Sequence, residues 1–179
     1  MSGADMWFEV RPGSGRIQHL AEVEDFDILE SHRRLRPLLQ VYETWCSEQQ
    51  GRQAIPQRLP AGTLSRAQML GNTHIYDVTP ERPDDYLIIW WGRNAAINNR
   101  RDTTFETPGQ IPWPRYREWV GAGLREIKDS GRPQLQYVST RWITGTVSRH
   151  RLLLPFSDDG TRTDRVLMAW VYASFDLVK

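Results

Sequence analysis

The sequence predicts an α+β domain with an antiparallel sheet, on the strength of three groups of elements. Polar and apolar residues alternate in segment 73–78, and segment 86–93 is rich in β-branched and aromatic residues. The two segments together predict a hairpin of two strands. Segment 114–129 carries apolar residues three and four positions apart, which predicts a helix. Three more strands are predicted at 133–142, 149–156 and 165–175. Strands that are grouped around helices and joined by short links are typical of the α+β class.

An amphipathic helix is predicted before the first of these strands, from about Arg36 to near Gly51. Pro37 is compatible with it because a helix tolerates proline in its first turn. The residues with the apolar spacing are Leu35, Leu38, Leu39, Tyr42, Trp45 and Cys46. The first five of these are predicted to form an interaction surface. We expect the helix either to cover the outer face of the sheet or to join a dimer.

The pattern of the amino-terminal residues predicts secondary structure less clearly than that of the other segments. Residues 1–30 are interpreted as an extension, and residues 31–179 as the domain itself. Residues 6–10 are compatible with a short strand, whereas 17–29 give no clear period.

Charge and composition exclude several classes of protein. The 179 residues include 23 basic and 22 acidic ones, so the net charge is +1 and no global field attracts nucleic acid or an anionic membrane. The single Cys46 forms no internal disulfide, and neither a signal peptide nor an apolar run long enough for a membrane helix is visible. The sequence therefore predicts a soluble cytoplasmic protein with no nucleic-acid or membrane partner.

Three acids lie between the last two predicted strands, and they are either a catalytic or metal cluster or the bend of a hairpin. Asp158 and Asp159 precede Gly160, and Asp-Gly is a strong turn signal because both residues tolerate a positive φ. Asp164 completes no calcium loop, since the alternating acids and the final Glu are missing. The sequence favours the turn.

Four arginines flank the same hairpin, and we interpret them as solvated charges at the strand starts and in the loop. They are Arg149, Arg151, Arg162 and Arg165.

The candidate nucleophiles and metal ligands form no local motif. His19, His32, His74 and His150 are widely spaced, although His74 and His150 lie in predicted strands and could meet in space. Cys46 is interpreted as a buried structural thiol. We therefore expect a protein that is not an enzyme, with no catalytic residues and no metal. Two alternatives stay open: a small-molecule enzyme that uses His74 or His150, and a single-stranded nucleic-acid binder that uses the Arg/Trp-rich helix at 113–125.

The eight tryptophans indicate extensive aromatic packing. Trp90 and Trp91 are adjacent in a strand, so they point to opposite faces. In the last strand Trp170 lies on the face opposite Leu167 and Ala169, and a strand that is apolar on both faces is covered on both. The second cover is predicted to be the amino-terminal helix or a second subunit.

Residues 152–167 (L-L-L-P-F-S-D-D-G-T-R-T-D-R-V-L) closely resemble the signature of a PAS-like family of mostly alphaproteobacterial, often single-domain proteins. In that family the last hairpin reads as an apolar run, then Leu-Pro-[Leu/Phe]-Ser/Ala-x-Asp-Gly, then a polar stretch with an Asp. Residues 36–45 and 54–58 resemble its first helix and the Leu-Pro-x-Arg element that follows. The resemblance covers about residues 30–175, where the order of elements is also that of PAS.

The resemblance implies a PAS-like five-stranded antiparallel sheet flanked by helices, here with an amino-terminal extension and helix. It implies a stand-alone module for sensing, signal transduction or protein interaction, without catalysis. The expected partners are a second copy in a homodimer, a regulatory protein and a small-molecule ligand.

A small apolar or aromatic ligand would lie in the sheet pocket that the resemblance implies. The predicted lining is Trp90, Trp91, Trp119, Tyr137, Leu153 and Trp170. Many family members have an Arg-Leu-Val-Gly-Thr-like run after the second strand, and the bulkier residues 88–93 argue against a roomy pocket.

No cofactor is expected. Flavin photosensors need a Cys in the helix after the second strand, and 94–112 contain none; haem sensors usually need a His on the long helix, and 113–130 contain none. The basic, His-rich ligand face of citrate-type sensors has no matching motif.

Overall fold

One antiparallel sheet with helices on both faces forms this α+β protein, seen here in a computed structural model that describes residues 6–9, 16–49, 55–99, 102–111, 114–142 and 145–177. The strands are β1 (Met6–Glu9), β2 (Arg16–Glu24), β3 (Thr73–Asp77), β4 (Leu87–Trp91), β5 (Gln134–Trp142), β6 (Gly145–Phe156) and β7 (Arg165–Leu177). The helices are α1 (Ile28–Ser31), α2 (Arg36–Ser47), α3 (Thr63–Arg66), α4 (Arg93–Asn99) and α5 (Pro114–Ser130). In the described ranges no helix is both long and apolar enough to cross a membrane.

The sheet has the order β1-β2-β5-β6-β7-β3-β4, with every pairing antiparallel. The five strands expected from the sequence are all present and lie side by side. Two further strands widen the sheet: β2 pairs with β5 from Gln18 opposite Arg141 to Glu24 opposite Leu135, and β1 pairs with β2. Part of the predicted extension is therefore a strand of the same sheet. Residues 17–29 have no clear period because β2 mixes polar and apolar residues.

Helix α2 packs on one face of the sheet, where it buries the first hydrophobic core. Leu38 and Val41 are completely buried against Leu152, Leu154 and other residues of the central strands. The predicted apolar stripe is thus accounted for within this core: Leu35 and Trp45 are also buried, while Leu39, Tyr42 and Cys46 are partly buried beside them. The helix begins at Arg36 as predicted and ends at Ser47; Gly51 lies outside the described residues.

Helix α5 covers the opposite face and buries the second core. Leu124 and Ile127 are completely buried among Leu153, Val166 and Met168. The helix starts at Pro114, as predicted, and ends at Ser130; Trp113 lies outside the described residues. Since residues of β7 belong to both cores, the prediction that this strand is covered on both faces is confirmed.

The acids between β6 and β7 form a turn, as predicted. Asp159 Oδ1 accepts hydrogen bonds from the hydroxyl and backbone nitrogen of Thr161, from Ser157 Oγ and from the backbone nitrogen of Arg162, and these bonds hold the pKa of its carboxyl well below the usual range. Gly160 has a φ of +80°, a conformation that glycine adopts without strain. Asp158 and Asp164 both pair with Arg165. In the part of the chain that the structure describes, no group of three or more His, Cys, Asp and Glu could hold a metal ion.

Trp45 anchors α2 to the sheet, and its substitution tests this packing. Its buried indole Nε1 donates a hydrogen bond to the Pro155 carbonyl oxygen, 2.8 Å away. We expect Trp45→Ala to lower the free energy of unfolding by about 3–5 kcal/mol, because it leaves a cavity. Trp45→Phe keeps most of the ring but leaves the carbonyl unpaired, so we expect a loss of about 1–3 kcal/mol. Urea unfolding measures both, and equal stability of the wild type and Trp45→Ala would contradict this packing.

Candidate ligand site

The face of the sheet beneath α5 carries charged and aromatic side chains beside the aliphatic core. Arg149, Arg151 and Leu153 alternate along β6, so they share this face. In register, Arg151 lies opposite Trp170 on β7, and Met168 on β7 lies opposite His74 on β3. The pleat thus places two arginines, a histidine and a tryptophan on one surface.

Each of the two arginines is stacked on aromatic rings. The Arg151 guanidinium lies 4.4 Å from the ring centroid of Trp119 on α5. The Arg149 guanidinium lies 4.9 Å from Trp170 and 5.3 Å from Tyr172. Their interpretation as solvated edge charges is therefore wrong for Arg149 and Arg151, which are partly buried on the helix-covered face. Both arginines point to the same face because they are two residues apart on one strand.

His74 is buried on this face, with 6% of its surface exposed. Its ring stacks on Trp91 at a centroid distance of 3.8 Å, and its Nε2 accepts a hydrogen bond from Trp170 Nε1 at 3.2 Å. Burial, and then the positive charges of Arg149 and Arg151, lower the pKa of His74 to about 3. The imidazole is therefore neutral at pH 7, and because Nε2 accepts, its proton lies on Nδ1.

We call these residues the basic aromatic cluster: His74, Trp91, Trp119, Arg149, Arg151, Trp170 and Tyr172. Four of its nitrogen atoms are buried and have no hydrogen-bond partner among the described residues. They are His74 Nδ1, Trp91 Nε1, Arg149 Nε and Arg151 Nε. Each of the four carries an N–H, so the cluster has surplus donors.

The positive charge of the cluster is not balanced by a neighbouring acid. Across the described ranges, no carboxylate forms an ion pair with Arg149 or Arg151. Arg151 Nη2 donates instead to the neutral Gln136 Oε1 at 2.7 Å. Burial lowers the pKa of Arg151 to about 10, so the side chain stays cationic at pH 7. Buried charges in proteins are usually paired, which makes this arrangement unusual.

A cavity of about 220 Å³ lies between α5 and the sheet, next to the cluster. Its apolar lining includes Val120, Leu124, Leu153 and Met168. Its remaining lining is Ala21, Glu22, Val23, Trp119, Ala122, Gly123, Glu126, Gln136 and Arg151. Arg151 is the one basic residue in this lining, and it therefore belongs to both the cavity and the cluster.

The two acids of the lining are exposed to solvent. Glu22 is in register with Tyr137, whose side chain is on the α2 face of the sheet, so the pleat directs the Glu22 side chain to that face as well. Glu126 is an exposed residue of α5. Neither forms an ion pair with Arg151.

The six residues predicted to line a pocket divide between the two faces. Trp91, Trp119, Leu153 and Trp170 lie on the α5 face, and of these Trp119 and Leu153 line the cavity. Trp90 is 45% exposed, and its register partner Ile75 packs against the α2-side core. Tyr137 is also on the α2 face, where its ring lies 5.2 Å from that of His150. The alternation along β4 and β5 explains this division.

The two strand histidines do not meet. His74 is on the α5 face, whereas His150 is on the α2 face, where its Nδ1 lies 2.8 Å from Glu24 Oε2. A site that combines both histidines, which the sequence left open, is therefore not formed.

The basic face could have been found from one signal in the sequence. In R-H-R (149–151) the arginines are two residues apart in a predicted strand, and such residues share a face. The position of His74 near these arginines could not be predicted in this way, because His74 is on β3, which is separated from β6 in the sheet by β7. This face of the sheet combines basic residues with a histidine, although no contiguous sequence motif predicts such a face.

No protein-family model matches this chain, and neither a curated protein nor a solved structure matches it.

The lowered pKa of His74 predicts a pH dependence of stability. In the unfolded chain its pKa is about 6.5, so below that pH the unfolded state binds a proton that the folded state does not. The stabilisation is complete above about pH 6.5 and is lost as the pH falls toward about 3. His74→Gln removes the titration and keeps a hydrogen-bond acceptor.

As the pH falls from about 6 to 5, we expect the free energy of unfolding of the wild type to decrease relative to that of His74→Gln, by about 1.4 kcal/mol per pH unit. Urea unfolding at several pH values measures it. A difference that stays constant over this range would show that His74 titrates normally.

Proposed function

We propose that this chain is a stand-alone PAS-like module for sensing or protein interaction, that it is not catalytic, and that it binds a small apolar or aromatic ligand between α5 and the sheet. The cavity between α5 and the sheet carries this proposal. It is mostly apolar, and it adjoins a few polar groups that converge on one face. Ligand sites in proteins commonly combine these two properties.

The arrangement of the sheet supports the PAS-like part of the proposal. The five strands that the resemblance implies are contiguous, in the order β4-β3-β7-β6-β5, and the long helix α5 lies on one face of them. The last hairpin, which carries the family-like sequence, contributes two of the three central strands. Strands β1 and β2 are additions at one edge.

The size of the cavity limits the ligand. Pockets for drug-sized molecules have about 300–1,000 Å³, so a cavity of about 220 Å³ fits a smaller molecule with one ring. A ligand in this place contacts α5 and the central strands together. Binding then favours one arrangement of α5 on the sheet. That arrangement changes how strongly the chain associates with a second copy or with a regulatory protein.

Gly123 offers a direct test, because it lines the cavity and a Cβ atom there would have no heavy atom within 4 Å. Gly123→Met fills the cavity, whereas Gly123→Ala adds one methyl group and raises the free energy of unfolding by about 0.5–1 kcal/mol through helix propensity. We expect members of a library of small aromatic compounds to raise the Tm of the wild type and of Gly123→Ala but not that of Gly123→Met.

Thermal unfolding with and without each compound measures this effect. The ligand proposal fails if no compound stabilises the wild type, or if the same compounds stabilise Gly123→Met equally.

A further inference from the structure

The chemistry of the basic aromatic cluster indicates which ligand the cavity takes. All four of its unpartnered buried nitrogen atoms are N–H donors. An unmatched buried donor is unfavourable, so such a surplus is expected where a ligand supplies acceptors. A ligand with a donor group, such as an amine, would add to the surplus.

The positive charge of the cluster also favours a ligand with acceptors, and in particular an anion. Arg149 and Arg151 lie on one face two residues apart, and in the described part of the chain neither has a carboxylate partner. His74 is neutral and therefore adds no charge of its own, but its Nδ1–H is one of the surplus donors. An anion at this place would relieve the repulsion between two cations in a medium that screens less than water does.

The rest of the cavity selects the body of the ligand. Leu124, Leu153 and Met168 offer an apolar surface, which favours a ring over a bare inorganic ion. Arg151 joins this surface to the cluster, because it borders the cavity and stacks on Trp119. A guanidinium binds a planar carboxylate through two parallel hydrogen bonds, which a compact ammonium group does not reproduce.

We propose that the cavity binds a small aromatic carboxylate whose ring lies between α5 and the sheet and whose carboxylate accepts hydrogen bonds from Arg151, the basic residue that lines the cavity. This inference rests on the proposed function, and it adds the chemical class of the ligand. The binding involves no covalent step.

An NMR titration with benzoate, benzamide and inorganic phosphate tests the inference on the wild-type chain. Benzamide has the same ring without the charge, and phosphate has charge without a ring. We expect benzoate to bind roughly tenfold or more tightly than benzamide, because a hydrogen bond to a charged group strengthens binding by about that factor or more. We expect it to bind more tightly than phosphate as well, because phosphate has no ring to contact the apolar lining. The indole N–H signal of Trp119 should shift with benzoate.

Two variants locate the charge that is responsible. Arg151→Gln should reduce the affinity for benzoate to about that for benzamide, a loss of roughly tenfold or more. Arg132→Gln removes the same charge from an exposed loop residue and should leave both affinities unchanged. Urea unfolding of Arg151→Gln shows whether the variant is folded; if it is not, the comparison of benzoate with benzamide on the wild type decides alone.

The outcomes separate this inference from the proposed function. Equal affinities for benzoate and benzamide would overturn the carboxylate inference and leave a ligand cavity. Phosphate binding as tightly as benzoate would overturn it as well, because the ring would contribute nothing. If none of the three binds, the carboxylate inference fails, and the compound library with Gly123→Met decides separately whether the cavity takes any ligand.

Discussion

The last strand is apolar on both faces, and the fold depends on covering both. Leu167 and Ala169 face α2, whereas Val166 and Met168 face α5. A sheet covered on both faces by helices needs a pair of amphipathic elements on opposite sides of the same strands, and α2 and α5 meet this need. The consequence is functional as well as structural, because Arg151 lies on the α5 face of β6, where its guanidinium stacks on Trp119 of α5.

Stability alone does not explain these arginines. Stacking a guanidinium on an aromatic ring contributes about 0.5–2 kcal/mol, and leaving a buried N–H unpaired costs about 1–3 kcal/mol. For Arg149 and Arg151 these two effects are of similar size and opposite sign, so aliphatic residues at both positions would pack at least as well. The two arginines therefore do not increase the free energy of unfolding, but they provide unpaired donors next to an apolar cavity. Such a face is suited to binding a ligand that accepts hydrogen bonds.

Much of the fold could be predicted from the sequence, since its elements follow local patterns. The spacing around Leu38 and Leu124, and the Asp-Gly turn at Gly160, are features of short segments, and all three appear as expected. Strand β2 was missed because its pairing with β5 is formed across more than a hundred residues and leaves little trace in its own period. The site could be predicted only in part. Alternation places Trp91 opposite Trp90, but which one faces α5, and that His74 lies near Arg149, depend on the strand order.

Native mass spectrometry of the protein purified from its own host would show whether a ligand occupies the cavity, because it reports bound ligand and oligomeric state together. We expect a small acid bound to the wild-type chain at one copy per chain, present in Gly123→Ala and absent from Gly123→Met. A wild-type chain that carries no small molecule, or the same molecule bound equally to Gly123→Met, would contradict the claim that the cavity between α5 and the sheet is a ligand site.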